Sequence, residues 1–163
     1  MHIRHARPDE YQHVGELTAA AYSGFLDGPD DPYADQLRNA EARALEAELW
    51  VAVDPDDHRL LGTVTICLDG SPWREIGRAD EGEFRMLAVA PEAQGQGVGL
   101  ALTRFCLDRF REVGTTGVVL STLAEMTAAH RIYERLGFER APERDWEPYP
   151  GLPLLAFHRD LAE

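Results

Sequence analysis

A glycine-rich turn at residues 94–99 contains residue types that bind phosphate through backbone atoms. The six residues read Gln-Gly-Gln-Gly-Val-Gly, and they connect an apolar segment ending at Val89 with an amphipathic segment. Glycines permit positive φ angles and let a ligand approach the backbone closely. Free N–H groups at the start of a helix, at the positive end of its dipole, suit an anion such as phosphate. The pattern therefore predicts a phosphate site, with a glycine turn that binds nothing as the alternative.

Two common phosphate-binding motifs do not fit this turn. A P-loop requires Gly-Lys-Ser/Thr, and the chain contains no lysine. The dinucleotide-binding fingerprint requires a small residue two positions after Val98, where Leu100 stands, and it occurs early in its domain.

The spacing Gln94-x-x-Gly97-x-Gly99 resembles the Gln/Arg-x-x-Gly-x-Gly/Ala motif of the GNAT N-acetyltransferase family. The segments Arg-Met-Leu-Ala-Val-Ala-Pro at 85–91 and Ile-Tyr-Glu-Arg-Leu-Gly-Phe at 132–138 extend the resemblance. It implies an enzyme that transfers an acetyl group from acetyl-CoA to a primary amine by direct attack in a ternary complex. It also implies that one strand contacts the pantetheine arm and the turn binds the pyrophosphate, through Leu87, Ala88, Val89, Gln94, Gly95, Gln96, Gly97, Val98 and Gly99.

Tyr133 is the candidate acid for this reaction, because the leaving thiolate benefits from a proton. Helical geometry places it at the edge of an apolar stripe, about 60° beyond Leu136, so its ring can pack while its hydroxyl reaches a cleft. The resemblance indicates the same residue, since family members often have a tyrosine four residues before the Gly-Phe pair, here at 137–138. A core-edge tyrosine without catalytic function is the alternative.

The resemblance also indicates Glu83 as the general base. Glu83 lies six residues before Val89, the spacing at which the base stands in the histone acetyltransferases that this segment resembles. A carboxylate at the margin of a closed cleft can accept a proton directly or through water. A solvated or arginine-paired surface residue is the alternative for Glu83, and Glu81 is the second candidate for the base. One position departs from the family, because Met126 stands where many relatives have asparagine.

Composition limits the class of protein. A chain of 163 residues with 44% hydrophobic content predicts a single domain over residues 1–163. Only 16 Lys and Arg residues oppose 29 Asp and Glu residues, which argues against a nucleic-acid partner. No apolar run approaches the roughly 20 residues of a membrane span, and the first residues do not read as a signal peptide. We therefore expect a cytoplasmic protein without membrane contact, and the sequence leaves a homodimer open.

The two cysteines and six histidines point to no further chemistry. Cys67 and Cys106 lie in apolar segments, where buried free thiols are expected. The histidines lack the spacing of metal ligands, so we expect no metal.

Hydrophobic periodicity and turn residues predict alternating strands and helices, which indicates the α/β class with a mixed sheet. The order is similar to that of the GNAT fold, which implies a mostly antiparallel sheet of about seven strands, splayed fourth and fifth strands and about four flanking helices. The predicted strands lie at 2–6, 49–53, 60–68, 86–89, 117–122, 138–144 and 152–159, and the predicted helices start at residue 8 and span 33–46, 97–113 and 127–136.

The amine acceptor is a small molecule or a peptide, and an aminoglycoside, a polyamine, an amino acid or a protein N-terminus all remain open. The resemblance indicates that the loop at 23–32 helps to form the acceptor site. This loop carries three aspartates, and three aromatic residues in other loops are candidate walls of the same cleft. Carboxylates with aromatic walls suit a cationic amine, although solvated loop aspartates are the alternative. The residues are Asp27, Asp30, Asp31, Trp73, Trp146 and Tyr149.

Two other functions fit the same motifs. A catalytically inert acyl-CoA-binding or regulatory module would keep the phosphate-binding turn and lack the chemistry. A transferase using a longer acyl donor would share all of these residues, because the acyl pocket has no recognisable sequence pattern.

Overall fold

The computed structural model describes residues 1–28 and 30–161, which form helices packed on one mixed sheet. The elements are β1 (His2–His5), α1 (Tyr11–Tyr22), α2 (Pro32–Arg38), α3 (Ala40–Glu46), β2 (Glu48–Val53), β3 (Leu60–Cys67), β4 (Glu81–Val89), α4 (Val98–Glu112), β5 (Gly117–Leu123), α5 (Thr127–Arg135), β6 (Glu139–Arg140), β7 (Trp146–Tyr149) and β8 (Leu152–Asp160).

The sheet has the spatial order β1-β2-β3-β4-β5-β8-β6, and β7 also pairs with β8. Every pair is antiparallel except β4 with β5, which confirms the predicted α/β class and mostly antiparallel sheet. Over residues 1–28 and 30–161 the sheet has eight strands rather than about seven, and there are five α-helices rather than about four.

The sheet carries helices from two parts of the chain. Helix α1 packs on β3 and β4 and on α2 and α3, whereas α4 packs on β3, β4 and α5. Strand β4 therefore lies at the centre of the core, as its apolar run predicts. Cys67 and Cys106 are buried free thiols, as expected. None of the helices in the described ranges is both long and apolar enough to span a membrane.

The predicted helix at 33–46 is interrupted at Asn39. This residue has φ −81° and ψ 62°, outside the helical range, and its side chain accepts a hydrogen bond from the Ala42 N–H at 3.2 Å. An asparagine that caps a following helix satisfies a free N–H group, and this local bond competes with helix continuation. The single predicted helix is therefore two helices, α2 and α3.

The C-terminal strands also differ from the prediction. The strand expected at 138–144 is limited to Glu139–Arg140, because Pro142 begins a 3-10 turn. The segment expected to be a loop contains β7, which pairs with β8 through Trp146 and Tyr149. Pro148 lies at the irregularity between these two pairs, where a missing N–H is tolerated.

Strands β4 and β5 separate after a short parallel contact. They pair only from Glu81 to Glu83, opposite Gly117 to Val119, and the predicted splay is therefore present. On its other side β4 has a bulge, since the register with β3 shifts between Thr63 and Thr65. Met86 lies in this bulge with φ 55°, a conformation that costs an L-residue about 1–2 kcal/mol. The bulge bends β4 at the point where the sheet opens.

Candidate active site

A cavity of about 1000 Å³ occupies the gap between β4 and β5. Its walls include residues 84–87 of β4 and 120–123 of β5, whose facing edges have no partner strand. An unpaired strand edge presents N–H and C=O groups that can hydrogen-bond an extended ligand. The cavity is therefore suited to a chain with amide groups that enters between the strands.

The residues predicted to contact pantetheine lie at the end of β4. Leu87 lines the cavity, and its carbonyl accepts a long hydrogen bond of 3.4 Å from the Tyr22 hydroxyl. Ala88 is 3% exposed and is paired with Thr63, whereas Val89 is half-buried and is paired with Gly62. Leu87 is thus the one of these three residues that contributes to the cavity wall.

The glycine turn has the geometry of an anion site. Helix α4 begins at Val98, after Gly97 with φ 82°, and Gly95 has φ 79°. The backbone N–H groups of residues 95–100 donate no hydrogen bond within the described part of the chain. A Cβ atom on Gly95 or Gly97 would meet nothing within 4 Å, so a ligand has room to approach these N–H groups. This arrangement fits a pyrophosphate.

Gly99 has a different function from the two preceding glycines. A Cβ atom there would lie 3.0 Å from Ile132 Cδ1, so this glycine lets α4 approach α5 closely. Met126, which stands where the family resemblance indicates asparagine, precedes α5 without a side-chain capping bond.

Tyr133 is placed in the cavity wall by the core beneath it. The residue is 5% exposed, and its ring packs against Phe84, Phe138 and Phe157 at centroid distances of 5.9–6.0 Å. Its hydroxyl makes no hydrogen bond to another described residue. Burial raises the pKa of Tyr133 well above its usual range, so the hydroxyl keeps its proton at neutral pH. A protonated hydroxyl without a protein partner is available as a donor.

Glu83 lies outside the cavity lining. Its side chain is fully buried, and Oε1 accepts hydrogen bonds from three consecutive N–H groups, those of residues 75–77, at 2.8–3.0 Å. Oε2 is buried without a partner in the described chain. This geometry makes Glu83 the anchor of the loop before β4 and does not favour the predicted role as base.

A pair of variants at Glu83 separates anchoring from catalysis. Glu83→Ala leaves three N–H groups without an acceptor, and we expect it to lower the free energy of unfolding by about 3 kcal/mol, measured in urea. Glu83→Gln keeps an acceptor oxygen, so it should lose less than half of that stability and retain activity. Loss of turnover in a stable Glu83→Gln variant would instead support the role as base.

Glu81, the second candidate base, is engaged elsewhere. Its carboxylate lies 2.7 Å from Arg144 Nη2 and 3.2 Å from His158 Nε2, and Glu81 does not line the large cavity. Burial on its own would raise the pKa of Glu81. Hydrogen bonds from Arg144 and from the Arg78 N–H outweigh burial, so the pKa of Glu81 is lowered. This carboxylate is therefore an ion-pair partner.

The structure brings an unexpected carboxylate, Glu75, to the cavity wall. Its Oε1 lies 2.9 Å from Arg85 Nε, and its side chain is 23% exposed. Burial raises the pKa of Glu75 to about 6, although Arg85 acts in the opposite direction. No periodicity in the sequence indicates this residue, because its place depends on the path of an irregular loop between β3 and β4.

The loop at 23–32, which the resemblance indicates for the acceptor site, borders the cavity. Of the three aromatic candidates, only one does so. Tyr149 lines the cavity together with Asp27, Asp30 and Asp31. Trp73 and Trp146 are not in its lining: the Trp73 Nε1–H bonds Glu46 and the Trp146 Nε1–H bonds Ser121. Asp31 also caps α2 by accepting the Tyr33 N–H at 3.0 Å.

A sheet that opens between two parallel central strands, beside a helix that begins in a glycine turn with free N–H groups, defines an α/β protein of the acetyltransferase fold class. The chain belongs to the acetyltransferase (GNAT) family, whose model matches residues 11–138.

Solved structures share the fold over nearly the whole chain. An acetyltransferase of the GNAT family from Staphylococcus aureus Mu50 has a TM-score of 0.74 at 18% identity, with 98% of each chain covered. A GNAT superfamily phosphinothricin acetyltransferase from Sinorhizobium meliloti, solved in complex with AcCoA, has a TM-score of 0.71 at 18% identity, covering 99% of this chain and 89% of that one.

Among the curated relatives, a mycothiol acetyltransferase from Cellulomonas flavigena is 34% identical over 145 residues. This match covers 76% of the chain and 40% of the relative. The chain thus spans between about a third and two fifths of the length of the first curated relatives that it matches.

Proposed function

We propose that the chain is an N-acetyltransferase that transfers the acetyl group of acetyl-CoA to a primary amine by direct attack in a ternary complex. The observation that carries the proposal is the gap between β4 and β5, which holds Tyr133 and Leu87 in one cavity. The free N–H groups of residues 95–100 add a site for the pyrophosphate. The acetyltransferase names of the relatives agree with this activity.

The residues of the chain have separate functions in the proposed reaction. When bound, acetyl-CoA supplies an activated thioester. The turn at Gln94, Gly95, Gln96, Gly97, Val98 and Gly99 binds its pyrophosphate, and the strand edge at Leu87, Ala88 and Val89 orients the pantetheine arm. Tyr133 donates its hydroxyl proton to the leaving sulfur. The opened sheet lets the amine approach the carbonyl carbon directly, so no covalent acyl-enzyme is needed.

A second candidate is an inert acyl-CoA-binding or regulatory module. The specific observation in its favour is the burial of Glu83 outside the cavity, since this glutamate is the base that the family resemblance indicates. Such a module would bind acetyl-CoA at the same turn and release no thiol.

An acceptor panel with thiol release as the signal tests the two candidates. The panel contains an aminoglycoside, a polyamine, a free amino acid and a peptide with a free N-terminus, and binding of acetyl-CoA is measured separately by calorimetry. We expect thiol release that depends on one class of amine. Binding of acetyl-CoA without thiol release from any class would support the inert module.

The charges around the cavity favour a cationic acceptor. In the described chain its lining includes five acidic residues and a single basic one, Arg85, which is paired with Glu75. The five are Asp27, Asp30, Asp31, Glu75 and Glu125. Carboxylates attract a cationic amine, and a tyrosine such as Tyr149 can add a cation–π contact.

The salt dependence of kcat/KM tests this charge complementarity. For 1,4-diaminobutane we expect kcat/KM to fall with added salt, because exposed charges are screened over about 10 Å at 0.1 M. The double variant Asp27→Asn/Asp30→Asn should weaken the dependence without removing the cap at Asp31. The control Asp56→Asn/Glu112→Gln changes the net charge equally at exposed positions outside the cavity. Equal salt slopes in all three proteins would contradict a cationic acceptor site.

A further inference from the structure

Glu75 lines the cavity, and one of its two carboxylate oxygens is held in place. Oε1 lies 2.9 Å from Arg85 Nε, and Oε2 has no hydrogen-bond partner in the described part of the chain. Arg85 is fixed in turn, because its Nη1–H donates to the Trp73 carbonyl at 2.9 Å. One oxygen thus orients the carboxylate, and the other can accept a proton from a molecule in the cavity.

The loop that carries Glu75 is held at its backbone by Glu83. The N–H groups of Glu75, Ile76 and Gly77 all donate to Glu83 Oε1. A Cβ atom at Gly77 would lie 3.2 Å from this oxygen and 2.6 Å from Arg74 Nε, so glycine permits the close approach. A loop fixed at three consecutive N–H groups presents its side chain with little conformational freedom, as a catalytic group requires.

Glu75 and Tyr133 approach the gap from opposite faces of the sheet. Successive residues of a strand point to opposite faces. On β4, the Phe84 ring contacts the Tyr133 ring of α5, and the next residue, Arg85, holds Glu75. An amine that attacks from one face and a sulfur that leaves toward the other would therefore each lie near one of the two groups.

We propose that Glu75 is the general base of the reaction, an inference that rests on the proposed acetyltransferase activity. The amine arrives as an ammonium ion, and Glu75 Oε2 takes one proton from it. The nitrogen lone pair then forms the bond to the carbonyl carbon, the C–S bond breaks, and the sulfur takes the Tyr133 hydroxyl proton. The second nitrogen proton restores Tyr133 through water, and Glu75 releases its proton to solvent. Glu83 is the positioning residue that holds the loop.

The charges around Glu75 agree with this function. Arg85 and Glu83 face it from β4, Tyr33 from α2 and Cys67 from β3. Burial raises the pKa of Glu75 to about 6, so the group is a carboxylate at neutral pH and binds a proton below pH 6. A base with a pKa close to the working pH is the efficient choice.

The pH profile of Glu75→Gln tests the proposal with 1,4-diaminobutane or, if the panel gives a better acceptor, with that amine. For the wild type, kcat/KM should rise through pH 6 and then level off. Glu75→Gln should lose about 10³-fold at pH 7, because only the neutral amine reacts and about one amine in a thousand is neutral there. The loss should shrink about tenfold per pH unit toward the amine pKa near 10. Glu75→Asp should keep the limb near pH 6 at a lower rate, and it replaces the glutamine variant if that does not fold.

Glu48→Gln is the matched control, since Glu48 also pairs with an arginine, Arg109, at 2.7 Å and does not line the cavity. Its pH profile should equal that of the wild type. A Glu75→Gln profile that runs parallel to the wild type at every pH would overturn the assignment and leave Glu75 a structural ion-pair residue. A wild type that acetylates no amine would overturn the proposed function and this inference with it.

Discussion

Gly97→Val is expected to weaken acetyl-CoA binding by at least about 100-fold, or about 2.7 kcal/mol. The Cβ position of Gly97 points into open space, and the backbone N–H groups of residues 95–100 around it are free within the described chain. Valine methyl groups would occupy the volume that a pyrophosphate needs to approach these N–H groups. Calorimetric titration with coenzyme A measures the effect without an acceptor.

Gly114→Val is the control for the backbone strain in this experiment. Gly114 follows the other end of α4 with φ 81°, nearly the same as the 82° of Gly97, and its Cβ would also meet nothing within 4 Å. Both variants should lose about 1–2 kcal/mol of folding stability from the left-handed conformation. Only Gly97→Val should lose coenzyme A affinity. Equal affinities in two folded variants would show that the pyrophosphate binds elsewhere.

Local sequence patterns predict the elements of this fold where one physical rule dominates. The stripe of apolar residues in α4 and the β-branched run in β3 depend only on period and burial, and both elements lie within a residue of their expected bounds. The left-handed conformation at Gly97 can be predicted for the same reason, because a left-handed residue before a helix favours glycine. The splay of β4 and β5 came from family resemblance, since no local pattern reports which strands fail to pair.

The missed features depend on contacts between distant residues or on competing local bonds. Asn39 breaks a helix that the apolar spacing continues, because its side chain caps α3. Strand β7 lies in a segment rich in proline, which predicts a loop. It forms because this segment pairs with the free edge of β8. The position of Glu83 outside the cavity, and of Glu75 in its wall, has a similar cause. The backbone of one loop folds onto the Glu83 carboxylate, and this contact moves Glu75 to the cavity wall.

The arrangement divides the proposed reaction between two faces of one strand. On one face, Arg85 and the loop anchored by Glu83 hold a carboxylate beside the acidic residues that suit a cationic amine. On the other face, an aromatic cluster holds the Tyr133 hydroxyl in an apolar environment. Proton removal and proton donation can therefore be tested separately, because the variants at Glu75 and Tyr133 disturb different neighbours.

Tyr133→Phe is expected to lower kcat by about 10²-fold or more, the usual scale for a positioned acid. The hydroxyl makes no hydrogen bond to a described residue, and the phenylalanine ring keeps the contacts with Phe84, Phe138 and Phe157. The melting temperature and the affinity for acetyl-CoA should therefore change little. Thiol release under saturating substrates measures kcat, and calorimetry measures the affinity.

Tyr22→Phe separates proton donation from the general loss of a hydroxyl in this cavity. Tyr22 also lines the cavity, but its hydroxyl makes a long bond of 3.4 Å to the Leu87 carbonyl. Loss of one such bond is worth about 1 kcal/mol, so kcat should stay within about tenfold of the wild type. If Tyr133→Phe also stays within that range, water protonates the leaving thiolate and Tyr133 is a packing residue. A larger loss at Tyr133 alone, with unchanged affinity, assigns the proton to its hydroxyl.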